Sequence, residues 1–309
     1  MVVRRIIELY IRQIRGIMVQ QKESTVIDIP CSTATVTTTT TDTSSTNSFH
    51  CRRIPFFVIL ISIIEITTFL YDYLTTTTSS PLGLVPINSW LIYSPSRRQE
   101  VWRFLTYMLL HANWFHLGFN VFVQIVVGAP LELVHGSIRI ACIYLAGVVA
   151  GSLGTSVVDS EVFLVGASGG VYALLAANLA DIMINFSTVK FVTLKLLAIL
   201  LFSSFDFAYA VYSNYCVASE SSSTTISYIA HLTGALAGLT IGLSVLKNFE
   251  EVEVEDKENQ NQRSVLWWCA FGAYFTFILF TVLFNLLNTM TAQMLEEEGE
   301  TLIETTFTS

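Results

Sequence analysis

One serine set among glycines, and three histidines spread over two other stretches, are the residues of this chain best suited to breaking a bond in another molecule. The segment "GASGGVYALL" crowds Gly166, Gly169 and Gly170 around the Ser168 hydroxyl. The segment "HANWFHLGFN" carries His111, His116 and Asn120, and "AHLTGALAGLTIG" carries His231 ahead of Gly234, Gly238 and Gly242. A serine hydroxyl is a poor nucleophile until a base takes its proton, and a neutral imidazole suits that work near pH 7. Ser168 and His231 would form such a nucleophile and base. Attack on a carbonyl also needs donors for the developing oxyanion. His116 and Asn120, four apart and so on one helical face, are donors of the right kind, as is the Ser168 backbone N–H at a helix N-terminus. Tyr172, one turn beyond Ser168, is placed to stack on the imidazole. The sequence sets no acid beside this pair, so it reads as a dyad rather than a triad. Small residues also serve close helix packing, and packing is the reading for the four-residue glycine repeat after His231.

These residues must be held by elements that suit an apolar surrounding. The chain has 309 residues, 52% of them hydrophobic and only 13% charged, where soluble domains carry about 25% charged. A membrane span takes roughly 20 mostly apolar residues, because ~30 Å of hydrocarbon is crossed at ~1.5 Å per helical residue. Seven stretches meet that length, at 56–74, 114–132, 138–157, 168–186, 190–212, 226–246 and 265–288. Runs this long are helical rather than the short alternating strands of a barrel. The expected fold class is an all-α membrane protein with seven transmembrane helices. A formal net charge of -8 and no basic stretch interleaved with aromatics argue against a nucleic-acid partner. Cys31, Cys51, Cys142, Cys216 and Cys269 are too scattered for a disulfide framework or a zinc site. Neither a cofactor nor a metal is expected.

Orientation follows from the positive charges, which the cytoplasmic side retains. With the N-terminus inside, 13 of the 16 Lys and Arg fall on the inner side, and only Arg97, Arg98 and Arg103 fall outside. The C-terminus then lies outside, and Ser168 and His231 lie near the outer ends of their helices. His231 is expected about two turns into the sixth run. Residues 1–53 read as a cytosolic arm, with 13 Ser or Thr among the 17 residues 32–48, too polar to fold alone. Residues 4–19 read as an amphipathic surface helix, with a transit peptide as the alternative. Cys51 beside Arg52 and Arg53 reads as a plain juxtamembrane thiol, with palmitoylation as the alternative. Residues 54–248 read as the six-helix core, 249–264 as an acidic cytosolic loop, 265–288 as the seventh span and 289–309 as an acidic outer tail. Asn185 heads the sequon "NFS", but on the cytosolic side it should stay unmodified. Among the membrane acids, Glu132 and Lys195 are expected to cap or snorkel at inner ends. Glu65 and Asp206 are expected in buried, hydrogen-bonded structural roles, with catalysis as the alternative.

"VWRFLTYMLLHANWFHLGFN", "GASGGVYALL" and "AHLTGALAG", in this order on the second, fourth and sixth runs, resemble the rhomboid intramembrane serine proteases over residues 56–288. The resemblance implies that Ser168 is the nucleophile and His231 the base. It places Gly166 in the G-x-S-G turn, His116 and Asn120 at the oxyanion and Tyr172 in support of His231. Trp102 and Arg103 match the "WR" pair of the long first outer loop, and His111 matches a motif histidine. A seventh helix after the core resembles the secretase-type members, which cut single-pass membrane proteins such as growth-factor precursors near the outer face. That implies transmembrane substrates, contact with membrane lipid, and a secretory-pathway or plasma membrane rather than the mitochondrial inner membrane. Two other functions stay open: an inactive rhomboid-like binder of membrane helices, and a transporter with a polar path through the histidines.

Overall fold

A chain that carries long apolar runs satisfies its backbone within helices, and the computed structural model follows the runs. It describes residues 54–75, 85, 88–187, 189, 191–212, 227–249 and 257–308. The expectations for residues 1–53, Cys51 included, and for most of the acidic run lie outside the described residues. The helices are α1 (Phe56–Thr75), α2 (Trp114–His135), α3 (Ser137–Val158), α4 (Ser168–Ile184), α5 (Val192–Tyr212), α6 (Tyr228–Val245) and α7 (Lys257–Thr308). Six of them are long and apolar enough to cross a membrane, whereas α4 has 17 residues. It stops short of the expected residue 186 because Asn185 leaves helical geometry at φ -121° and ψ 32°. The Asn185 amide there donates to Asp181 Oδ1 at 3.0 Å and to the Lys247 carbonyl at 2.9 Å.

α7 also departs from the expected division into loop, span and tail. It is one helix of 52 residues, about 78 Å at ~1.5 Å per residue and more than twice the hydrocarbon thickness. Its apolar part is Ser264–Leu295.

α3, α4 and α6 pack as the centre, α7 lies against α6 and α3, and α5 meets α4. Small residues permit the tightest of these contacts. A Cβ on Gly234 would collide with the carbonyl oxygen of Gly169, and one on Gly238 with the backbone of Ala173. Gly242 faces Ala177 and Ala180 in the same way. The expected glycine ridge on α6 is thus the surface on which α4 lies. Outward faces are apolar, as with Ile59, Ile63 and Leu70 on α1 and Leu197, Leu200 and Leu201 on α5, all exposed.

Several polar residues inside these helices have partners. Glu132 accepts from the Phe57 and Val58 N–H groups at 2.7 and 2.8 Å, capping the start of α1. Glu65 accepts from Gln124 Nε2 and from the Tyr144 hydroxyl, each at 2.8 Å. Gln124 opens a π turn, Gln124–Gly128, within α2. Pro130 follows that turn, has no N–H for the helix and would crowd the preceding carbonyls, so the widened backbone accommodates it. Lys195 pairs with Asp181 at 2.7 Å, and Asp181 also meets His135 Nε2 at 3.0 Å.

The α4/α6 contact generates a stability prediction. Gly238→Ala should lower the thermal unfolding midpoint in detergent by the equivalent of about 1–3 kcal/mol, the cost of overpacking against rigid backbone. Gly272→Ala on α7, where nothing lies within 4 Å of the new Cβ, should leave the midpoint unchanged.

Candidate active site

The glycine contact between α4 and α6 sets Ser168, the first residue of α4, beside His231, the fourth of α6. His231 is therefore one turn in, not two, because α6 starts at Tyr228 with the Ser227 hydroxyl accepting from the Ala230 N–H as its cap. His231 Nε2 lies 2.9 Å from Ser168 Oγ. The Tyr172 ring stacks on the imidazole with centroids 4.4 Å apart and planes 10° from parallel. His231 is 7% exposed and Ser168 half-buried, so the pair sits in a pocket rather than on a surface.

A sharp turn precedes Ser168. Gly166 has φ +115°, and a Cβ there would overlap the His116 ring, so both its backbone conformation and its neighbour require glycine. The chain before α4 is tied to the long loop between α1 and α2. Tyr93 and Leu164 exchange backbone hydrogen bonds at 3.3 and 3.2 Å, and the Gly166 N–H donates to the Tyr107 carbonyl at 3.1 Å. That loop is in turn held by Arg103, only 2% exposed, whose Nη1 donates to the Ser89 and Ile92 carbonyls at 2.8 Å each. Its Nε pairs with Glu100 at 2.6 Å. Trp102 Nε1 donates to the Trp90 carbonyl at 3.1 Å. The "WR" pair therefore folds the loop and does not enter the pocket.

His116, His231 and Asp206 line one cavity with Phe115, Phe119 and Tyr209. Asn120, one turn below His116 and 1% exposed, has an amide nitrogen without a hydrogen-bond partner among the described residues, which leaves a donor free for an incoming oxygen. His111 stands 5.2 Å from His116, ring to ring. Burial, with His116 beside it, pushes the His111 imidazole well below its ordinary pKa, so it stays neutral. Among the described residues no group of three or more His, Cys, Asp and Glu is gathered to hold a metal ion.

The acid that sequence reasoning left out is Asp206. Its Oδ2 lies 3.3 Å from His231 Nδ1 and accepts from the Tyr172 hydroxyl at 2.9 Å. The expectation that no acid stands beside Ser168 and His231 is thus corrected. No motif marks Asp206 in the sequence. The one available signal was an ionisable residue inside an apolar run, which invites a functional reading by default.

With this geometry in view, a rhomboid domain model matches residues 98–248. Rhomboid-related protein 3 of Homo sapiens is 39% identical over 78% of this chain and 58% of its own length. Rhomboid-related protein 2 of Mus musculus is 38% identical over 77% of this chain and 76% of its own length. The chain belongs to the rhomboid family. It is a multi-pass integral membrane protein, and it spans a little over half of the human relative. A Caenorhabditis elegans relative, 33% identical over 63% of this chain and 56% of its own length, is named inactive rhomboid-related protein 2. Membership of the rhomboid family therefore does not by itself establish proteolysis.

The loop restraint makes a prediction. Arg103→Lys keeps the charge but not the planar fork that reaches two carbonyls and a carboxylate at once. Hydrogen exchange at residues 88–110 should speed up about 5- to 150-fold, corresponding to about 1–3 kcal/mol of lost local stability. Exchange in α3 should not change.

Proposed function

We propose that this rhomboid protein is an intramembrane serine endopeptidase that cuts transmembrane segments of single-pass membrane proteins. The observation that carries the reading is the 2.9 Å approach of His231 Nε2 to Ser168 Oγ beneath a stacked Tyr172. As Oγ bonds to the scissile carbonyl carbon, its proton passes to Nε2. The oxyanion is met by Asn120 Nδ2, His116 and the first-turn N–H groups of α4, which lack intrahelical partners. When the C–N bond breaks, Nε2 returns the proton to the leaving amine. Water then repeats the sequence on the acyl-enzyme, with the imidazole again as base. The inactive binder remains the alternative; Ser168 and His231, both present and in contact, favour the protease.

The charge distribution supports an N-in orientation, with residues 1–53 on the cytosolic side and the site opening outward. It favours a secretory-pathway or plasma membrane, where growth-factor-like precursors would be available as substrates.

The chemical reading is tested by labelling the detergent-solubilised protein with a serine-reactive fluorophosphonate. The parent should label, and Ser168→Ala and His231→Ala should not. Cleavage of a reporter transmembrane substrate should fall by several orders of magnitude in either variant, and the double variant should be hardly worse, because nucleophile and base act as a unit. A Ser168→Ala protein that cut at the parent rate would refute the assignment.

Sidedness has its own test. In a protein with all five cysteines replaced by Ser, a membrane-impermeant thiol reagent should label Glu161→Cys, between α3 and α4, in intact cells, or in right-side-out vesicles for an internal membrane. Ser187→Cys, after α4, should stay unlabelled. The reverse pattern would put the site on the cytosolic side and end the secretase-type reading.

A further inference from the structure

The geometry points to Asp206 as a positioning residue for His231 beside the Ser168 and His231 dyad, with Tyr172 touching both the base and the acid. This inference rests on the protease reading and deepens it.

Nε2 must be unprotonated to take the Ser168 proton, so the neutral imidazole must carry its hydrogen on Nδ1. Asp206 Oδ2, at 3.3 Å, is an acceptor on that side of the ring. Stacking with Tyr172 fixes the plane of the imidazole but leaves the ring free to turn within it. A carboxylate at Nδ1 removes that freedom.

Charge gives the second argument. The proton taken from Ser168 leaves an imidazolium in a low-dielectric pocket, and a neighbouring carboxylate stabilises it without taking the proton itself. Asp206 is 9% exposed within an apolar helix, where an ionisable residue costs about 2.5–3.5 kcal/mol on insertion scales. The side-chain groups found on its carboxylate are the Tyr172 hydroxyl and His231 Nδ1, and both belong to the site. A residue serving only the fold of α5 would be expected to bond to α5 or its packing partners away from the base. The Tyr172 hydroxyl holds Oδ2 from the same residue whose ring holds the imidazole, so base and acid are fixed by one side chain. His116 from α2 and Tyr209 from α5 itself line the same cavity and are the other titratable groups facing this carboxylate.

The experiment compares the purified parent with Asp206→Asn, Asp206→Glu and Tyr172→Phe in detergent. It measures the fluorophosphonate labelling rate, kcat and KM on a transmembrane reporter, and the thermal unfolding midpoint. Asp206→Asn keeps the size and an acceptor for Tyr172 but can turn an N–H toward Nδ1 and favour the wrong tautomer. Its labelling rate and kcat should fall by at least about tenfold, with KM and the unfolding midpoint close to the parent. Asp206→Glu should recover part of the rate, because it restores a carboxylate. Tyr172→Phe keeps the stacked ring and loses only the hydroxyl, so it should lose several-fold in kcat. Parent-like labelling and kcat in Asp206→Asn would overturn the inference. So would a lowered midpoint with no advantage of Glu over Asn, which would mark Asp206 as structural. If Asp206→Asn does not fold, Asp206→Glu and Tyr172→Phe decide, and parent-like kcat in Tyr172→Phe with no recovery by Glu overturns the inference. A parent that fails to label would instead refute the protease reading on which the inference stands.

Discussion

Gly234 and Gly238 let α6 lie directly on the backbone of α4, and the depth of that contact sets how closely His231 approaches Ser168. With a side chain at either position the helices would have to move apart by about an ångström to reach ordinary contact at 3.4 Å, because the atoms opposite are the Gly169 carbonyl and the Ala173 backbone rather than movable side-chain ends. Ser168 and His231 sit at the same end of those two helices. A separation of an ångström would take Nε2 from 2.9 Å to beyond hydrogen-bond reach of Oγ. In lipid no water is expelled from between helices, so close van der Waals packing has to supply the attraction that apolar burial supplies in a soluble core. The same small residues therefore hold the bundle and set the distance between Ser168 and His231.

The polar loop before α2 extends this restraint to the turn ahead of the serine. Arg103 holds the Ser89 and Ile92 carbonyls, Tyr93 pairs with Leu164, and Tyr107 binds the Gly166 N–H. These contacts form a chain from a guanidinium to the residue two before Ser168. Each group in the chain is buried or half-buried and has a partner, so the local geometry of the turn is determined rather than adjustable. Asn120 is the contrast. It is buried, carried on α2, and keeps an unpaired donor among the described residues. An unpaired buried amide costs stability that an incoming acceptor oxygen would return.

Much of this was legible from residue types alone, and the reasons differ by element. Seven apolar runs announce helices because length and hydropathy are local properties. Ser168, His231, His116 and Asn120 stand out because polar groups are conspicuous in apolar runs and their spacing puts them at helix ends. Asp206 was equally conspicuous and was still misplaced. Its meaning depends on the rotation of α5 about its own axis, and that is set by contacts such as Phe115 with Tyr209 and Phe119 with Phe205, which no periodicity within α5 encodes. The length of α7 was missed for a related reason. Its polar ends look like loop and tail by composition, yet Gln, Glu, Lys, Met and Leu are good helix formers, and the helix propagates through them from an apolar middle that is already wound.

α7 shows how a helix can be attached to this arrangement without disturbing it. Trp267 Nε1 donates to the Ser244 carbonyl at 2.6 Å, the Tyr274 hydroxyl to the Ala146 carbonyl at 3.3 Å, and Asn285 Nδ2 to Ser156 Oγ at 2.7 Å. At about 0.6 kcal/mol for a hydrogen bond between membrane helices, three of them contribute about 2 kcal/mol. That is too little to define the bundle but enough to choose one register over another one turn away. All three reach α3 or α6, whereas the carboxylate beside His231 comes from α5, which packs on α4. The appended helix and the acid thus act on separate faces of the central packing. A shift of α7 would reach His231 only by moving α6, and α6 is fixed against α4 by contacts that leave no space for it to move.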